Sequence, residues 1–370
     1  MRVLISGAGL AGPLLAHGLR RHGIDVLLFE RDATVDARAQ GYRIHIGGDG
    51  DAALREWLPP EAYEQAAATS CRTGRGVTVA GPDLGTFTEI PVPPEAAGIT
   101  VDRLTLRRIM LRDLAGCTRF GAEFAGYTLL PEDRVRVRFA DGTTEDGDLL
   151  VAADGVGSGI RRQLLPDFPL TVDDARLIYG RTPLTGEARG LTPDAALEGF
   201  LGVAGPDGRG IVLAAQRFRR DPAEFGFPPG EDYVMWAAAA SSSVFGPDFF
   251  RLGAGELIDL AATTLADWHP ALGALIRLSD PAYVVPSSVY TSERPEPWAP
   301  GPVTLAGDAA HPMPPAGISA GVALHDAGLL AGRLVSGAPL LDAVGEYEKE
   351  MLDHGFAAAS IAARRHRGEH

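Results

Sequence analysis

The first part of the chain alternates short apolar runs with amphipathic stretches. Residues 3–5 are continuously apolar, and a glycine-rich turn and a helix-like stretch follow them. Residues 24–29, which are apolar except for Asp25, predict a second strand with Glu30 at its end. Continuous apolar runs are typical of parallel strands that are covered on both faces, whereas half-exposed strands alternate. This pattern predicts an α/β fold with a parallel sheet.

The pattern changes at about residue 177. Before it, residues 103–114 predict a helix, Val135, Val137 and Phe139 alternate in a predicted hairpin, and residues 149–152 predict a buried strand. After it, short β-like pieces stand between turns rich in glycine and proline, at residues 176–184, 197–203, 210–218 and 232–237. These pieces predict an antiparallel sheet. A helix at 255–268, strands at 283–291 and 303–306, and a C-terminal helix at 341–365 complete the prediction.

Three turns in this pattern follow an apolar run directly. They read GAGLAG at residues 7–12, ADGVGS at 153–158 and LAGDAAHPMPP at 305–315. One glycine-rich turn is weak evidence, because such turns recur throughout α/β proteins. Three turns at the ends of three predicted strands indicate one dinucleotide that is contacted from three sides. The dinucleotide that needs all three is FAD.

The first turn fits a dinucleotide fingerprint. Gly7 permits the tight turn, Gly9 allows the backbone to approach a pyrophosphate, and Gly12 allows the helix to pack closely on the strand. The helix N-terminus then faces the negative charge. Glu30 lies 18 residues after Gly12, a spacing suited to an acid that accepts hydrogen bonds from ribose hydroxyls. The alternative for Glu30 is a solvated carboxylate at a strand end.

The second and third turns add polar groups. Asp308 is expected to accept hydrogen bonds from ribityl or ribose hydroxyls, and its alternative role is a helix N-cap. The segment from Pro315 to Ala320 would point a helix N-terminus at the flavin pyrimidine, where reduction places negative charge. Asp154, with Ser158 and Arg161, is expected to brace the FAD phosphates and the nicotinamide entrance.

The length, charge and cysteine content of the chain disfavour several classes of function. The 370 residues exceed the size of a typical single core and predict two connected domains. A net charge of −14 disfavours nucleic-acid and anionic-membrane partners, which call for basic patches. Two cysteines and no paired histidine ligand motif predict neither a disulfide framework nor a metal site. The two cysteines, a first strand at residue 3 and no long apolar run predict a cytoplasmic protein. Both a monomer and a homodimer stay open.

With these residues in place, the chain resembles the class A, single-component flavoprotein monooxygenases of the para-hydroxybenzoate hydroxylase fold. Its layout is most similar to the compact tetracycline-modifying type. The resemblance covers nearly the whole chain and includes Glu30-Arg31-Asp32 with Arg38, the VDRLTLRRIML helix with Arg103, ADWHPAL at 266–272 and ERPEPWAPGPVTLAGDAAH. It implies a Rossmann-like FAD-binding domain at 1–72, 96–172 and 286–337. A substrate-binding sheet domain at 73–95 and 173–285 interrupts it, and a C-terminal helix occupies 338–370.

The resemblance also implies roles. Arg103 would reach the phosphate or ribityl part of FAD, Arg38 and Arg43 would lie near the nicotinamide approach, and His45 is either a flavin contact or a packed strand histidine. The residues predicted to contact the cofactor are Gly7, Gly9, Leu10, Ala11, Gly12, Glu30, Arg31, Arg38, His45, Arg103, Asp154, Asp308, Pro315, Gly317, Ile318 and Ser319. No side chain is required as a nucleophile, so catalysis would depend on positioning by Pro315, Gly317, Ile318 and Ser319.

The chain departs from the family at one place. A Gly-x-Gly-x-Asn pattern usually follows the proline, whereas here Ser319 and Gly321 replace the second glycine and the asparagine. Backbone donors remain, so FAD binding is expected to survive. The run also fits G-x-S-x-G, the nucleophile elbow of α/β hydrolases, with Asp342 and His354 after it. An elbow needs a strand immediately before it, and prolines stand there instead.

The function expected from the resemblance is hydroxylation or epoxidation of an aromatic or polyketide-like small molecule, with O2 and NAD(P)H as co-substrates, through a flavin C4a-hydroperoxide. A transient nicotinamide is expected in a groove past Arg38, Arg43 and Arg161, and a guanidinium there would favour NADPH over NADH. Two alternatives stay open. One is a flavin-bearing cyclase or scaffold without net oxidation, and the other is a flavin dehydrogenase or saturase of the same fold.

Overall fold

The computed structural model describes residues 1–38, 41–71, 76–91 and 98–367. The strands are β1 (Arg2–Ser6), β2 (Asp25–Glu30), β3 (Arg43–Ile46), β4 (Val77–Ala80), β5 (Thr86–Ile90), β6 (Ile99–Asp102), β7 (Thr118–Phe120), β8 (Phe124–Leu130), β9 (Arg134–Phe139), β10 (Thr144–Gly147), β11 (Leu149–Ala152), β12 (Leu170–Pro183), β13 (Phe200–Ala204), β14 (Gly210–Gln216), β15 (Tyr233–Ser241), β16 (Val285–Ser292) and β17 (Val303–Leu305). The α-helices are α1 (Ala11–Arg21), α2 (Gly48–Trp57), α3 (Pro60–Ala68), α4 (Arg103–Leu111), α5 (Gly159–Leu164), α6 (Gly186–Leu191), α7 (Asp194–Glu198), α8 (Ser242–Phe245), α9 (Ala254–Thr264), α10 (Pro270–Arg277), α11 (Ser319–Val335) and α12 (Leu340–His366).

A five-stranded parallel sheet forms the first layer, in the order β17-β11-β1-β2-β7. Every residue of β11 is buried, as expected of a strand covered on both faces. The hairpin predicted around Val135, Val137 and Phe139 forms as β9 and β10, and these three side chains point inward. The α/β prediction is therefore confirmed.

A seven-stranded sheet follows the order β16-β12-β15-β14-β13-β4-β5. It is antiparallel as predicted, except that β13 and β4 run parallel. One face packs on α9 and α10 through side chains that include Ile178, Leu213 and Trp236. Because side chains alternate along a strand, Tyr179, Phe200 and Met235 lie on the opposite face.

The structure corrects several predicted bounds. Strand β12 continues across the domain boundary predicted after residue 172, and β16 continues across the domain boundary predicted after residue 285. Both strands are continuous there because they pair with each other along the edge of the seven-stranded sheet. The predicted helix 103–114 ends at Leu111 and continues as a 3-10 turn, Arg112–Cys117. The strand predicted from residue 197 starts at Phe200, because α7 begins directly after Pro193. The boundaries predicted at 72–73 and 95–96 involve residues outside the described part of the chain.

The C-terminal helix α12 packs along the first layer, and its bounds agree with the predicted helix 341–365 to within one residue at each end. Tyr347, Met351 and Phe356 are among its buried side chains. The hydroxyl of Tyr347 donates a hydrogen bond of 2.8 Å to the carbonyl oxygen of Leu305, at the end of β17. This helix therefore supports the strand that leads into the third turn.

Candidate functional site

The three turns lie side by side. They follow β1, β11 and β17, which are neighbours in the parallel sheet, so all three leave from the same carboxyl edge. Gly7 has a φ of +100°, and a Cβ there would lie 2.3 Å from the carbonyl oxygen of Ala153. The first turn is thus packed directly against the second, and only glycine fits between them.

The other two glycines of the first turn differ in their surroundings. A Cβ on Gly12 would lie 2.1 Å from the carbonyl oxygen of Gly7, so this glycine allows α1 to approach the strand. A Cβ on Gly9 would meet nothing nearer than Nη2 of Arg103, at 3.8 Å, so the backbone of Gly9 faces open space. Leu10 precedes α1 without a side-chain cap, and the first turn of the helix, from Ala11, contains no acidic residue. The helix N-terminus is therefore compatible with an anionic group.

Glu30 is buried at the end of β2 and is held from three sides. Its Oε2 accepts hydrogen bonds from the backbone N–H of Ala8, at 3.0 Å, and from Nη2 of Arg107, at 3.3 Å. Its Oε1 accepts one from the backbone N–H of Asp32, at 3.1 Å. The alternative of a solvated carboxylate is therefore wrong, since only 6% of Glu30 is exposed.

Arg107 is a component of this site that sequence reasoning missed. Its guanidinium is buried and donates to the carbonyl oxygen of Ala8 at 2.6 Å and of Val35 at 2.9 Å, besides its bond to Glu30. Burial lowers the pKa of Arg107, while Glu30 opposes that effect. The available signal is an arginine among the apolar positions of the predicted helix 103–114.

The second turn is tied to the third by Arg161. This side chain is buried, and its Nη1 donates to the carbonyl oxygens of Ala309, at 3.0 Å, and Asp308, at 3.4 Å. Ser158 caps α5 by accepting a 2.9 Å hydrogen bond from the backbone N–H of Arg161. Oδ1 of Asp154 is buried and without a hydrogen-bond partner. Burial raises the pKa of Asp154, against the opposing effects of Ser158 and Arg161.

Asp308 points into the cleft between the turns. Its side chain is exposed, yet protein surrounds it closely enough that desolvation raises its pKa, while His311 and Arg103 act in the opposite direction. Among the described residues, none donates a hydrogen bond to its carboxylate. Asp308 lies in a 3-10 turn, Gly307–Ala309, that makes no side-chain cap, so the predicted alternative of an N-cap is wrong.

The segment after the third turn leads into α11. Gly317 has a φ of +75°, Ile318 precedes the helix without a side-chain cap, and Ser319 is its first residue. The first turn of α11 contains no acidic residue. Between β17 and α11, residues 311–318, which include Pro315, form no strand, so the strand that a nucleophile elbow requires is not there. The hydrolase interpretation is therefore wrong.

The arginines do not form the predicted groove. Arg161 is buried against carbonyl oxygens, and Arg43 is half-buried beside Cys71 and Tyr233, where desolvation lowers its pKa. Nε of Arg38 donates to Asp32 at 2.6 Å and its Nη2 lies 3.9 Å from Glu30, which places it at the Glu30 end of the sheet. The three arginines therefore face three different surroundings.

The remaining predicted contacts lie around the same edge. Arg103 starts α4 between the Gly9 backbone and the ring of Tyr42, 5.8 Å from the ring centre. Nδ1 of His45, on β3, lies 3.2 Å from Oγ1 of Thr100. Arg31 is exposed, immediately after Glu30. Arg103 thus lies near the first turn. Because it also lowers the pKa of Asp308, it lies near the third turn as well.

An aromatic surface faces β3 from the seven-stranded sheet. The rings of Tyr42 and Tyr179 stack with centres 5.7 Å apart and planes 25° from parallel. Tyr42 and Phe200 also pack on Met235 and its neighbours. Sequence alternation could not show which aromatic side chains share this face, and the register assigns Trp236 to the opposite one.

These residues fit FAD. The open space before Gly9 and the uncapped N-terminus of α1 suit a pyrophosphate. The buried Oδ1 of Asp154 has no hydrogen-bond donor in the described part of the protein, and a bound ligand could supply one. Glu30 and Asp308 present acceptors for hydroxyl groups, and α11 supplies a second N-terminus. The fold and the site define a Rossmann-like dinucleotide-binding protein with an added substrate sheet.

Comparison with known proteins finds relatives that match most of this chain. Residues 5–65 match the NAD(P)-binding Rossmann-like domain. A dual O-methyltransferase/FAD-dependent monooxygenase of Phaeosphaeria nodorum is 34% identical over 88% of this chain and 39% of its own length. The 3-amino-4-hydroxybenzoate 2-monooxygenase of Streptomyces cremeus is 29% identical over 95% of this chain and 83% of its own length.

Solved structures share this fold over nearly the whole chain. A protein of Photorhabdus luminescens assigned as an FAD containing monooxygenase has a TM-score of 0.87 and 28% identity, over 99% of this chain and 97% of its own. Tetracycline destructase Tet(51) has a TM-score of 0.71 at 19% identity, over 100% and 91%, which shows the shared fold. Over nearly its whole length the chain is similar to FAD-dependent monooxygenases, and the arrangement of its site residues is compatible with FAD.

The chain spans 39% and 44% of the length of the first two curated relatives, which are dual-function proteins. In the described ranges, no helix is both long and apolar enough to cross a membrane.

Proposed function

We propose that the chain hydroxylates or epoxidises an aromatic or polyketide-like small molecule, using O2 and NAD(P)H. The observation that carries the proposal is the strand order β17-β11-β1-β2, which brings the three turns and Glu30 to one edge. The relative named 3-amino-4-hydroxybenzoate 2-monooxygenase supports an aromatic substrate.

The chain's own residues would hold the cofactor by its polar parts. The N–H groups at the start of α1 would face the pyrophosphate, Glu30 a ribose, and Asp308 the ribityl or ribose hydroxyls. The FAD held by these residues would supply the redox chemistry, namely acceptance of a hydride from the nicotinamide and activation of O2 for transfer of one oxygen atom.

The sheet face would hold the substrate and exclude water. Tyr42, Tyr179, Phe200 and Met235 offer an apolar and aromatic surface that suits stacking of a flat ring. Burial raises the pKa of the Tyr179 hydroxyl well above its ordinary value, so this side chain stays neutral. The segment Pro315–Ser319 would orient the flavin edge through backbone N–H groups rather than through a nucleophilic side chain.

The test starts with the purified protein, which should be yellow and release FAD rather than FMN on denaturation. NADPH and NADH oxidation and O2 uptake are then measured with a panel of phenols and polycyclic aromatics. Products formed under 18O2 should gain one labelled oxygen atom. Oxidation without incorporation would favour the dehydrogenase or saturase, and conversion without use of nicotinamide or O2 would favour the cyclase or scaffold.

A further inference from the structure

A buried carboxylate behind the third turn connects it to two helices. Asp326, on α11, is fully buried. Its Oδ2 accepts hydrogen bonds from the backbone N–H of Gly307, at 2.7 Å, and from Nε2 of His311, at 2.6 Å. Its Oδ1 accepts one from Nε2 of His354 on α12, also at 2.6 Å. We call Asp326, His311 and His354 the His–Asp–His bridge.

The bridge fixes a backbone that needs support. Gly307 has a φ of +60°, and a Cβ there would lie 2.8 Å from Cβ of Ala323 on α11, so the turn is pressed against this helix. The ring of His311 is pressed against α12 in the same way, because a Cβ on Gly355 would lie 2.3 Å from its Cδ2. The residue between Gly307 and His311 that faces the cleft is Asp308.

The charges favour the bridge. Burial alone would raise the pKa of Asp326, but His311 and His354 outweigh it and lower the pKa to about 2. Burial opposes protonation of His311, yet the Asp326 carboxylate outweighs this effect and raises the pKa of His311. Asp326 is therefore an ionised acceptor with up to three donors.

His354 makes hydrogen bonds at both of its ring nitrogens in only one form. Its Nδ1 lies 2.8 Å from the carbonyl oxygen of Glu350 and its Nε2 faces the Asp326 carboxylate. Both partners are acceptors, so both contacts are hydrogen bonds only when the imidazole carries two protons. The side chain of His354 is 28% exposed, whereas that of Asp326 is fully buried.

We infer that Asp326 and His354 are positioning residues for the cofactor turn. They hold Gly307 and Asp308 in place from α11 and α12. The affinity for FAD should then be highest at a pH where both contacts of His354 are hydrogen bonds. The inference rests on FAD binding at this turn and not on the substrate or the oxidation.

Other ionisable groups face the bridge. Asp308 lies on the turn and raises the pKa of His311 further. Burial raises the pKa of the Tyr347 hydroxyl on α12, and the Asp326 carboxylate adds to this effect. The ring of His325, on α11, lies edge-on to His354 with centres 4.7 Å apart. Glu350 pairs with Arg333, and only its backbone carbonyl serves His354.

The test measures the Kd of the apoprotein for FAD by quenching of flavin fluorescence from pH 5.5 to 8.5. We expect the parent to bind more weakly as the pH rises. His354→Phe should bind about tenfold more weakly than the parent at pH 6 and show little pH dependence. Asp326→Asn can still accept from Gly307 and donate to a neutral His354, so it should keep its fold and also lose the pH dependence.

Controls separate this role from a general loss of stability. Asp353→Asn, next to His354 on α12, removes an exposed pair with Arg294 and should leave both Kd and its pH dependence unchanged. His325→Phe keeps a ring against His354 and tests whether His325 is the titrating group. Equal Kd values for the parent and His354→Phe across the range, or a pH dependence that survives both bridge variants, would overturn the inference. Neither result would affect the proposed oxidation, which has its own assay.

Discussion

The hydroxyl of Tyr233, on the seven-stranded sheet, donates a 2.8 Å hydrogen bond to Oδ2 of Asp102. Both side chains are buried. Oδ1 of Asp102 accepts a hydrogen bond from the backbone N–H of Thr105 and so caps α4, the helix that starts with Arg103. One carboxylate therefore joins the sheet to the helix that carries a predicted FAD contact.

Tyr233→Phe should lower the free energy of unfolding by about 1–3 kcal/mol, because it leaves a buried carboxylate oxygen without its donor. Urea unfolding of the FAD-free protein measures this change. Tyr127→Phe is the control, since no hydrogen bond of its hydroxyl is seen in the described part of the chain, and it should change stability by less than about 0.5 kcal/mol. Equal stability of the two variants would contradict the role assigned to the bond.

Arg107→Lys should weaken FAD binding by about tenfold or more, because a lysine cannot donate to Ala8, Val35 and Glu30 at once. The first turn and Glu30 would then lose their shared support. Arg108→Lys, at the next position of α4, alters only an exposed pair with Asp36 and should bind FAD within about twofold of the parent. Fluorescence titration of the apoproteins compares them.

Asp308→Ala should weaken FAD binding by about tenfold to a hundredfold with the fold intact, as expected for a lost charge-assisted hydrogen bond. Ser319→Ala should keep FAD bound and retain activity within about tenfold. Circular dichroism checks the fold, and NAD(P)H oxidation with a substrate checks activity. Esterase activity in the parent that disappears in Ser319→Ala would revive the hydrolase interpretation.

Glu348 predicts a pH dependence of stability. It is buried on α12, accepts hydrogen bonds from Nε1 of Trp298 and Oγ1 of Thr304, and has one oxygen without a partner. Burial outweighs these donors and raises its pKa to about 7. The folded state thus binds a proton more tightly than the unfolded state, so stability falls as the pH rises from about 4.5 to 7, by about 3 kcal/mol in all.

Glu348→Gln imitates the protonated form and should remove this loss. Urea unfolding at pH 5 and pH 8 should show a smaller difference for the variant than for the parent. Glu346→Gln, in an exposed pair with Arg333, should behave as the parent does. The same pH difference in the parent and Glu348→Gln would refute the assignment.

Local sequence predicted the cofactor edge well. Apolar runs followed by Gly7, Asp154 and Asp308 predicted three strand ends, and parallel strands leave their carboxyl ends at one edge whatever the side chains beyond them. The spacing from Gly12 likewise predicted the place of Glu30. These features depend on short-range sterics and chain direction, which the sequence contains directly.

Other features required the packed structure. The register of the seven-stranded sheet decided that Tyr179 faces β3 while Trp236 faces the helices, since alternation alone leaves both faces possible. The prediction of an arginine groove was wrong, because neighbours distant in sequence orient the side chains of Arg43 and Arg161.

The sequence by itself determined the α/β class, the three turns and the family resemblance, because glycine sterics and hydrophobic periodicity act over a few residues. Only the tertiary structure decided that Arg107 supports the first turn and that Asp326 joins the third turn to α12. Those contacts bring together residues from separate helices and turns. Their geometry depends on how whole helices pack, a relationship that no local pattern encodes.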